Sequence, residues 1–428
     1  MTSFSGTDGS PKSVVVIGGG LIGLCCAYFL RARGLDVTVL ESSSIGGGSS
    51  RGNLGEVVPT QVVPLSTPGI LGESARSIFR PDSALYMHPQ VSPELIRFML
   101  RFMRGTRPQN FQQAVADLQN FSRDTLELFK EMQRDGLQLD ANTDGFLFVF
   151  KTLAAAQTSL ANQTAITGTQ AEVLSGDEVR ALEPNLSDNV AAGYLLKDNW
   201  SINPGAFVDG LAEKLRNESV TIIESVATTK IENDARSVKV HTTEGTFTAD
   251  TCVIAAGIYT RDLCRPLGVD LDIVAGKGYS FSVDLPRPLT RTLQFADVHV
   301  VATPMGGEVR VAGTMELDRH REQFNPGRIK SIVAAADPYL NGVDWNARRN
   351  EWVGARPMTG DGMPIIGPLP GHPRVIVASG HNMHGVTLAP VTGRMVAEIV
   401  ANDAVALQSN PFDPAAAGRA KRWKRRSA

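Results

Sequence analysis

Three glycines and one acidic residue have the types and spacing needed to bind a phosphate-containing ligand. Gly18, Gly20 and Gly23 form the pattern Gly-x-Gly-x-x-Gly, and Glu41 follows after about 20 residues. Such glycines permit a tight turn, close approach of a pyrophosphate and packing of a helix on a strand. A carboxylate at Glu41 would accept hydrogen bonds from ribose hydroxyls. The sequence therefore predicts an ADP-binding site with contacts from Gly18, Gly20, Leu21, Ile22, Gly23 and Glu41.

A strand, a helix and a second strand must hold these residues in place. Residues 14–17 are β-branched, as in a buried parallel strand, and residues 24–33 carry a helical pattern before Gly34. Residues 37–40 form the second expected strand, which ends at Glu41. A structural glycine turn is the first alternative. A signal or membrane anchor over residues 14–30 is the second, but the stretch is shorter than the ~20 residues of a span and contains four glycines.

The loop after Glu41 is rich in glycine and serine. Residues 46–53 contain backbone N–H groups, serine hydroxyls and one guanidinium that could surround phosphates. A flexible linker is the alternative interpretation. We expect ligand contacts from Ser42, Ser49, Ser50, Arg51, Asn53 and Leu54.

Length and composition limit the class of protein. A chain of 428 residues is longer than one hydrophobic core usually supports, so two domains are expected. The formal net charge of −2 argues against a nucleic-acid partner for the whole protein. The four cysteines have neither metal-site nor disulfide spacing, which favours a reducing, cytoplasmic compartment and predicts no bound metal.

A second strand, glycine-rich loop and helix lie near the end of the chain. Residues 375–378 predict a strand, residues 379–385 a loop, and residues 389–400 a helix. The dinucleotide domain is therefore expected to be discontinuous: residues 1–85, 190–270 and 352–410, with residues 86–189 and 271–351 forming a substrate domain and residues 411–428 a basic tail. Residues 111–134 predict one helix with an apolar face.

The order of these motifs resembles that of the D-amino-acid oxidase superfamily, most closely its D-amino-acid dehydrogenase and glycine oxidase branch. The resemblance extends from about residue 13 to residue 402. It implies an α/β fold, with a discontinuous Rossmann-like FAD-binding domain and an α+β substrate domain that has a mixed, largely antiparallel sheet. The motifs that carry it are Gly18 to Gly23 with Glu41, Lys277-Gly278-Tyr279-Ser280, Gly354-Ala355-Arg356-Pro357 with Pro364 to Gly367, and Gly380-His381 to Gly385.

The same resemblance implies FAD that is not covalently attached. Family members with covalent flavin use an early histidine or a late cysteine, whereas here no His precedes His88 and no Cys follows Cys264. The loop Gly385-Val386-Thr387-Leu388 resembles the family segment that donates N–H groups to the N1/C2=O edge of the flavin. Further cofactor contacts are expected from Val226, Ala256, Gly257 and Arg356.

Three residues are expected to act on the substrate. Arg356 resembles the family arginine that binds the substrate carboxylate; an ordinary salt bridge is the alternative. His384 occupies a variable family position that can face the substrate, or it is a hydrogen-bonded loop residue. Tyr279, with His299, could supply polar contacts. Residues 300–304 are apolar where glycine oxidases have a tyrosine, which hints at an apolar or cyclic side chain rather than a glycine-like substrate.

The resemblance implies FAD-dependent oxidative deamination of a D-amino acid, or of a cyclic or N-substituted imino acid. Hydride would pass from Cα to flavin N5, giving an imine and then a 2-oxo acid. Quinone, an electron-transfer protein or O2 would accept the electrons. The alternatives are an FAD-dependent oxidase of glycine- or sarcosine-type amines that uses O2, an NAD-dependent dehydrogenase, and a non-catalytic dinucleotide-binding protein.

The C-terminal residues 419–426 contain six basic side chains and one tryptophan. Such a run fits peripheral contact with anionic lipid, at ~1 kcal/mol per basic residue near the surface. A solvated tail is the alternative. If the tail binds lipid, the protein would lie on the inner face of the cell membrane.

Overall fold

Two sheets with different strand directions organise the chain. The computed structural model describes residues 11–68, 80–81, 83–88, 92–318, 320–401, 410–416 and 420–422. The helices are α1 Leu21–Ala32, α2 Pro93–Gly105, α3 Pro108–Ser122, α4 Thr125–Arg134, α5 Leu153–Thr167, α6 Gly176–Leu182, α7 Pro204–Asn217, α8 Thr260–Cys264, α9 Pro326–Ala336 and α10 Gly385–Val400.

The strands are β1 Ser13–Ile17, β2 Asp36–Leu40, β3 Glu56–Val57, β4 Leu85–Met87, β5 Phe146–Phe150, β6 Val173–Ser175, β7 Ala192–Leu196, β8 Trp200–Ser201, β9 Thr221–Ile223, β10 Thr228–Asn233, β11 Val238–Thr242, β12 Gly245–Ala249, β13 Thr251–Ile254, β14 Val269–Leu271, β15 Val274–Val283, β16 Thr292–Phe295, β17 Val300–Met305, β18 Glu308–Leu317, β19 Arg349–Met358, β20 Ile365–Leu369, β21 His372–Ser379 and β22 Ala420–Arg422.

The first sheet has six strands in the order β20-β21-β13-β1-β2-β9. Strand β1 is fully apolar from Val14 onward and pairs in parallel with β2 and β13. Because the carboxyl ends of parallel strands share one edge, the residues that follow β1, β2 and β13 meet there. Helix α10 crosses α1 closely at Gly393, where a Cβ would lie 2.5 Å from the carbonyl oxygen of Cys25.

The second sheet is larger, mixed and mostly antiparallel. Its order is β19-β15-β18-β17-β16-β5-β7-β6, with β4 paired to β18. The pairs β16–β5 and β18–β4 are parallel, and the remaining pairs are antiparallel. The predicted fold class is therefore confirmed. The predicted domain ranges stay a prediction; pairing assigns β7 and β19 to the larger sheet, and β22, within the predicted tail, pairs with β14.

The single helix predicted for residues 111–134 is wrong, because the chain forms α3 and α4 with a break between them. Polar side chains next to the break form hydrogen bonds with distant parts of the chain. Ser122 donates to the carbonyl of Pro59, and Thr125 donates to the carbonyl of Thr387 at the start of α10. Asp124, at the break, pairs with Arg394 at 2.6 Å. Local periodicity could not reveal these long-range bonds.

The start of the last helix also differs from the prediction. Residues 385–388 were expected in a loop, but they form the first turn of α10. Pro390 lies inside α10, just past this first turn, so the carbonyl of Val386 lacks the N–H donor that another residue at position 390 would provide. Helix α5 was missed, since its alanine- and threonine-rich sequence buries only Ala156 and Leu160.

Candidate active site

One cavity of about 1320 Å³ lies between the two sheets. The edge of the first sheet forms one wall, and β15, β18 and β19 of the second sheet form the other. The N-termini of α1 and α10 both open into it. It exceeds the roughly 300–1,000 Å³ of an ordinary small-ligand pocket, so it has room for a dinucleotide together with a small substrate.

The predicted glycine turn lies at the α1 end of the cavity. Gly18 has φ +110°, and a Cβ there would lie 2.4 Å from the carbonyl oxygen of Ala255. Gly23 serves packing, because a Cβ on it would lie 1.9 Å from the carbonyl oxygen of Gly18. At Gly20 a Cβ would approach only the Ser50 hydroxyl, at 3.2 Å. Gly18, Gly20, Leu21 and Ile22 line the cavity, and Gly23 lies behind them.

Glu41 is held at the cavity wall by backbone amides. Its Oε2 accepts from the N–H of Gly19 at 2.7 Å, and its Oε1 accepts from the N–H of Ser43 at 2.9 Å. These bonds fix a carboxylate at the end of β2, next to the glycine turn. The hydroxyls of Ser42 and Ser43 also donate to Oε1, so Oε2 is the oxygen that keeps a further lone pair for a ribose hydroxyl.

The loop after Glu41 contributes Ser42, Ser49, Ser50, Asn53 and Leu54 to the cavity wall. Arg51 has a different position from the one expected. Its guanidinium pairs with Asp209 on α7, and its Nε donates to the carbonyl of Ile45 at 2.9 Å. Arg310 shapes the loop from the second sheet by donating to the carbonyls of Arg51 and Asn53, both at 2.9 Å. The remaining predicted contacts Val226, Ala256 and Gly257 line the same end.

The start of α10 forms another part of the cavity wall. Gly385 and Val386 line it, and no side chain caps this helix. Free N–H groups and the helix dipole therefore favour negative charge at this point. Thr387 faces away from the cavity, since its hydroxyl donates to the carbonyl of Glu56 at 3.0 Å. Leu388 is buried in the core.

Arg356 lines the cavity from β19. Its guanidinium lies over the backbone of Gly278 on β15, where a Cβ would be 2.3 Å from both Nη atoms. Burial lowers the pKa of Arg356, whereas the negative charge of Glu56 raises it. Its Nη1 is buried and has no hydrogen-bond partner among the described residues. Among the described residues, Arg356 does not form the ordinary salt bridge that was considered as an alternative.

His384 does not line the cavity. Its Nε2 lies 3.0 Å from the carbonyl oxygen of Val63, and burial lowers its pKa. The neighbouring His381 lines the cavity instead, with Nε2 3.0 Å from the hydroxyl of Thr392. Burial lowers the pKa of His381 to about 3, so this ring is neutral at ordinary pH.

Tyr279 lines the cavity, and a buried charge cluster holds its hydroxyl. The hydroxyl donates to Glu316, which also lies 2.5 Å from Nε2 of His88. His88, Glu316 and Asp318 have the composition of a cation site. Lys277 already supplies a cation to this cluster, because its Nζ lies 2.7 Å from Asp318 and 3.3 Å from Glu316. This ion-paired cluster therefore orients Tyr279.

Glu56 and Thr314 are among the polar residues of the cavity that the sequence analysis did not select. Thr314 has φ +64°, a strained value for a β-branched residue, and its buried hydroxyl has no partner among the described residues. Glu56 accepts a 2.6 Å hydrogen bond from Gln294. An ionisable residue just past a glycine loop was a visible signal for Glu56, but no sequence pattern marks the strain at Thr314.

Comparison with known proteins identifies the family. The sequence model described as FAD dependent oxidoreductase matches residues 13–399. The chain belongs to this family. The predicted superfamily is thereby confirmed, and the protein is an FAD-dependent oxidoreductase.

Curated relatives and solved structures agree with the family. The chain is 27% identical over 397 residues to a D-amino acid dehydrogenase of Helicobacter pylori, covering 91% of this chain and 94% of the relative. It is 29% identical over 412 residues to a D-amino acid dehydrogenase of Cereibacter sphaeroides, covering 92% and 93%. The structure of glycine oxidase from Geobacillus kaustophilus superposes with a TM-score of 0.72 at 21% identity, covering 97% and 99%.

The cavity of this FAD-dependent oxidoreductase fits its cofactor. The α1 end presents backbone amides and Glu41, as an ADP group requires. Gly257 has φ +53° and no atom within 4 Å of where a Cβ would stand, so a ligand can approach its backbone. The N-terminus of α10 can stabilise negative charge on a reduced flavin. None of the described helices has the length and apolar character needed to cross a bilayer.

Proposed function

We propose that this protein oxidises the α-carbon of a D-amino acid, or of a cyclic or N-substituted imino acid, to an imine that hydrolyses to a 2-oxo acid. The observation that carries the proposal is the guanidinium of Arg356, which lines the cavity with its buried Nη1 unpartnered in the part of the chain that the structure describes. Buried guanidinium groups are costly without a counter-ion, and a substrate carboxylate would supply one with bidentate geometry.

Thr314 supports a polar substrate group at the same place. A bulge in the pairing of β15 with β18, between Lys277 and Tyr279, places Thr314 and Met315 opposite Gly278. The guanidinium of Arg356 lies over that glycine from the other side strand, β19. Two buried polar atoms that have no partner among the described residues therefore flank Gly278, and a carboxylate there would satisfy both.

The remaining wall favours an apolar or ring-containing substrate side chain. Val301 of β17 and Ala312 of β18 line the cavity. A glycine-type substrate would leave this apolar surface in contact with water. The choice of a D-amino acid over a glycine-type amine is further supported by the names of the curated relatives, D-amino acid dehydrogenase.

The protein's own residues bind, orient and enclose the substrate. Arg356 and Thr314 would hold the carboxylate, and Tyr279, fixed by Glu316, would limit how the substrate turns. The first turn of α10 would stabilise the charge that accumulates during reduction. Bound FAD supplies the two-electron acceptor. We further propose that the attachment is non-covalent and that residues lining the α1 end hold its ADP half.

A substrate panel tests this proposal. Purified yellow protein is mixed anaerobically with D- and L-amino acids, including proline-type imino acids, glycine and sarcosine, and bleaching of the flavin band is recorded. We expect bleaching with at least one D-amino or imino acid that has an apolar side chain. Bleaching by glycine or sarcosine alone would favour the oxidase alternative, and no bleaching by any amine would contradict amine oxidation.

The electron acceptor and the cellular site are finer parts of the proposal. A quinone, an electron-transfer protein and O2 remain candidates, and turnover with a dye, a quinone and O2 side by side distinguishes them. A cytoplasmic location with peripheral contact to the inner face of the membrane is supported only by the composition of the C-terminus, since residues 417–419 and 423–428 lie outside the described residues.

A further inference from the structure

We propose that Glu56 binds the amino group of the substrate, so that Glu56 and Arg356 together hold the two charges of an amino-acid zwitterion. The inference rests on the proposed function and assigns the second half of its substrate site. Both residues line the same cavity, Glu56 from β3 and Arg356 from β19. They influence each other electrostatically but form no direct ion pair. Each charged group can therefore face a ligand in the cavity that both residues line.

The backbone around Glu56 is tied to the start of α10. The hydroxyl of Thr387 donates to the carbonyl of Glu56 at 3.0 Å and accepts from the N–H of Val58 at 3.1 Å. Strand β3 also pairs Glu56 with Ser201 of β8. Glu56 is thus fixed next to the helix end that favours negative charge, where the reacting end of the cofactor is expected.

The side chain of Glu56 is oriented from the second sheet. Gln294 of β16 donates to Oε1 at 2.6 Å, which leaves Oε2 for a ligand. Burial raises the pKa of Glu56 to about 6, although the bond from Gln294 and the charge of Arg356 oppose this rise. The group is therefore a carboxylate at neutral pH and can accept a hydrogen bond from an ammonium or amine.

A carboxylate at this position also fits the chemistry. The ammonium would first lose one proton to water, which frees the nitrogen lone pair. Bound FAD would then supply the acceptor for the hydrogen of Cα and its two electrons, while that lone pair forms the C=N bond. Positive charge develops on nitrogen, and a nearby negative charge stabilises it in a water-poor site. A substrate without an amine gains nothing from Glu56, and its carboxylate is repelled.

Glu56 should thus favour amino acids and disfavour acids that lack an amine, and this difference provides the test. In Glu56→Gln the size and the bond to residue 294 are kept while the charge is lost. With the best amino acid of the panel, kcat/KM should fall roughly ten- to a hundredfold. The amine-free acid of the same carbon skeleton, titrated by the perturbation of the flavin spectrum, should bind as tightly as before or more tightly. Glu183→Gln neutralises another buried carboxyl, outside the cavity, and should change neither value.

Several results would overturn the inference. One is a kcat/KM for Glu56→Gln within threefold of the parent, and another is a parallel weakening of both ligands, as a purely structural counter-ion of Arg356 would give. Glu56→Asp keeps the charge on a shorter side chain, so its kcat/KM should lie between those of the parent and of Glu56→Gln. Loss of FAD from both variants would also assign Glu56 a structural role. Failure of the proposed function itself would be distinct, because the parent protein would then oxidise no amino acid.

Discussion

Replacing Arg356 by methionine tests the carboxylate site directly. Methionine keeps the length and apolar character of the side chain but removes the guanidinium. In the parent protein the guanidinium is buried against Gly278 with Nη1 unpartnered, so a carboxylate would meet it with little competition from water. A charge-assisted, bidentate contact of this kind contributes about 2–4 kcal/mol. The loss in kcat/KM should accordingly be roughly thirty- to a thousandfold.

The assay compares kcat/KM for the best panel substrate across matched variants. Arg356→Lys keeps the charge without the planar fork and should lie between the parent and Arg356→Met. Arg349→Met makes the same change on the same strand at an exposed position, where Arg349 pairs with Asp284, and should leave kcat/KM unchanged. Amino-acid amides, which lack the carboxylate, should be poor substrates of the parent and should not lose further in Arg356→Met.

Two outcomes would refute this reasoning. If Arg356→Met loses FAD or precipitates, the arginine supports the fold rather than the substrate. If the variant oxidises the free acid normally, another group holds the carboxylate, and Thr314 and Tyr279 would be examined next.

Three further predictions concern the cofactor, the charge cluster and the C-terminus. Gly20→Val should fold but purify without colour, because its side chain fills the space open beside Ser50, while acid should release free FAD from the parent; a colourless supernatant would contradict non-covalent binding. Burial alone would raise the pKa of Glu316, but hydrogen bonds from Tyr279 and His88 and the charge of Lys277 lower it to about 2. The stability that this carboxylate contributes is present above its unfolded pKa of about 4.3 and is lost as pH falls towards 2, by at most about 3 kcal/mol. Glu316→Gln should therefore reduce the slope of melting temperature against pH between pH 5 and 3. Equal slopes in the parent and the variant would argue against this role. Truncation after Arg422, which spares the β14–β22 pair, should lower sedimentation with anionic vesicles at low salt if the basic tail binds lipid, and unchanged sedimentation would remove that hypothesis.

The sequence predicted best what local pattern determines. Residues 14–17, Gly18 to Gly23 and Glu41 occupy the expected strand, turn and strand end, because short-range sterics and apolar periodicity decide these elements. Long-range bonds decided the features that were mispredicted. The break between α3 and α4 depends on partners at Pro59 and Thr387, which are far away in the chain. Arg51 lies outside the cavity wall because Asp209 on another helix offers it a partner.

The substrate end of the cavity shows why family motifs could predict Arg356 but not its surroundings. Arg356 belongs to a recognisable run, whereas Thr314 acquires its strained backbone from a bulge that exists only once β15 and β18 have paired. Glu56 lies in neither of the two large sheets. The two-residue strand β3 and the hydroxyl of Thr387 on α10 position it. Each of these residues is partly buried, at a cost that a hydrogen-bonded, charged ligand would offset. An amino acid carries its ammonium and its carboxylate on one carbon atom, so a single small molecule would supply both charges that we propose this cavity binds.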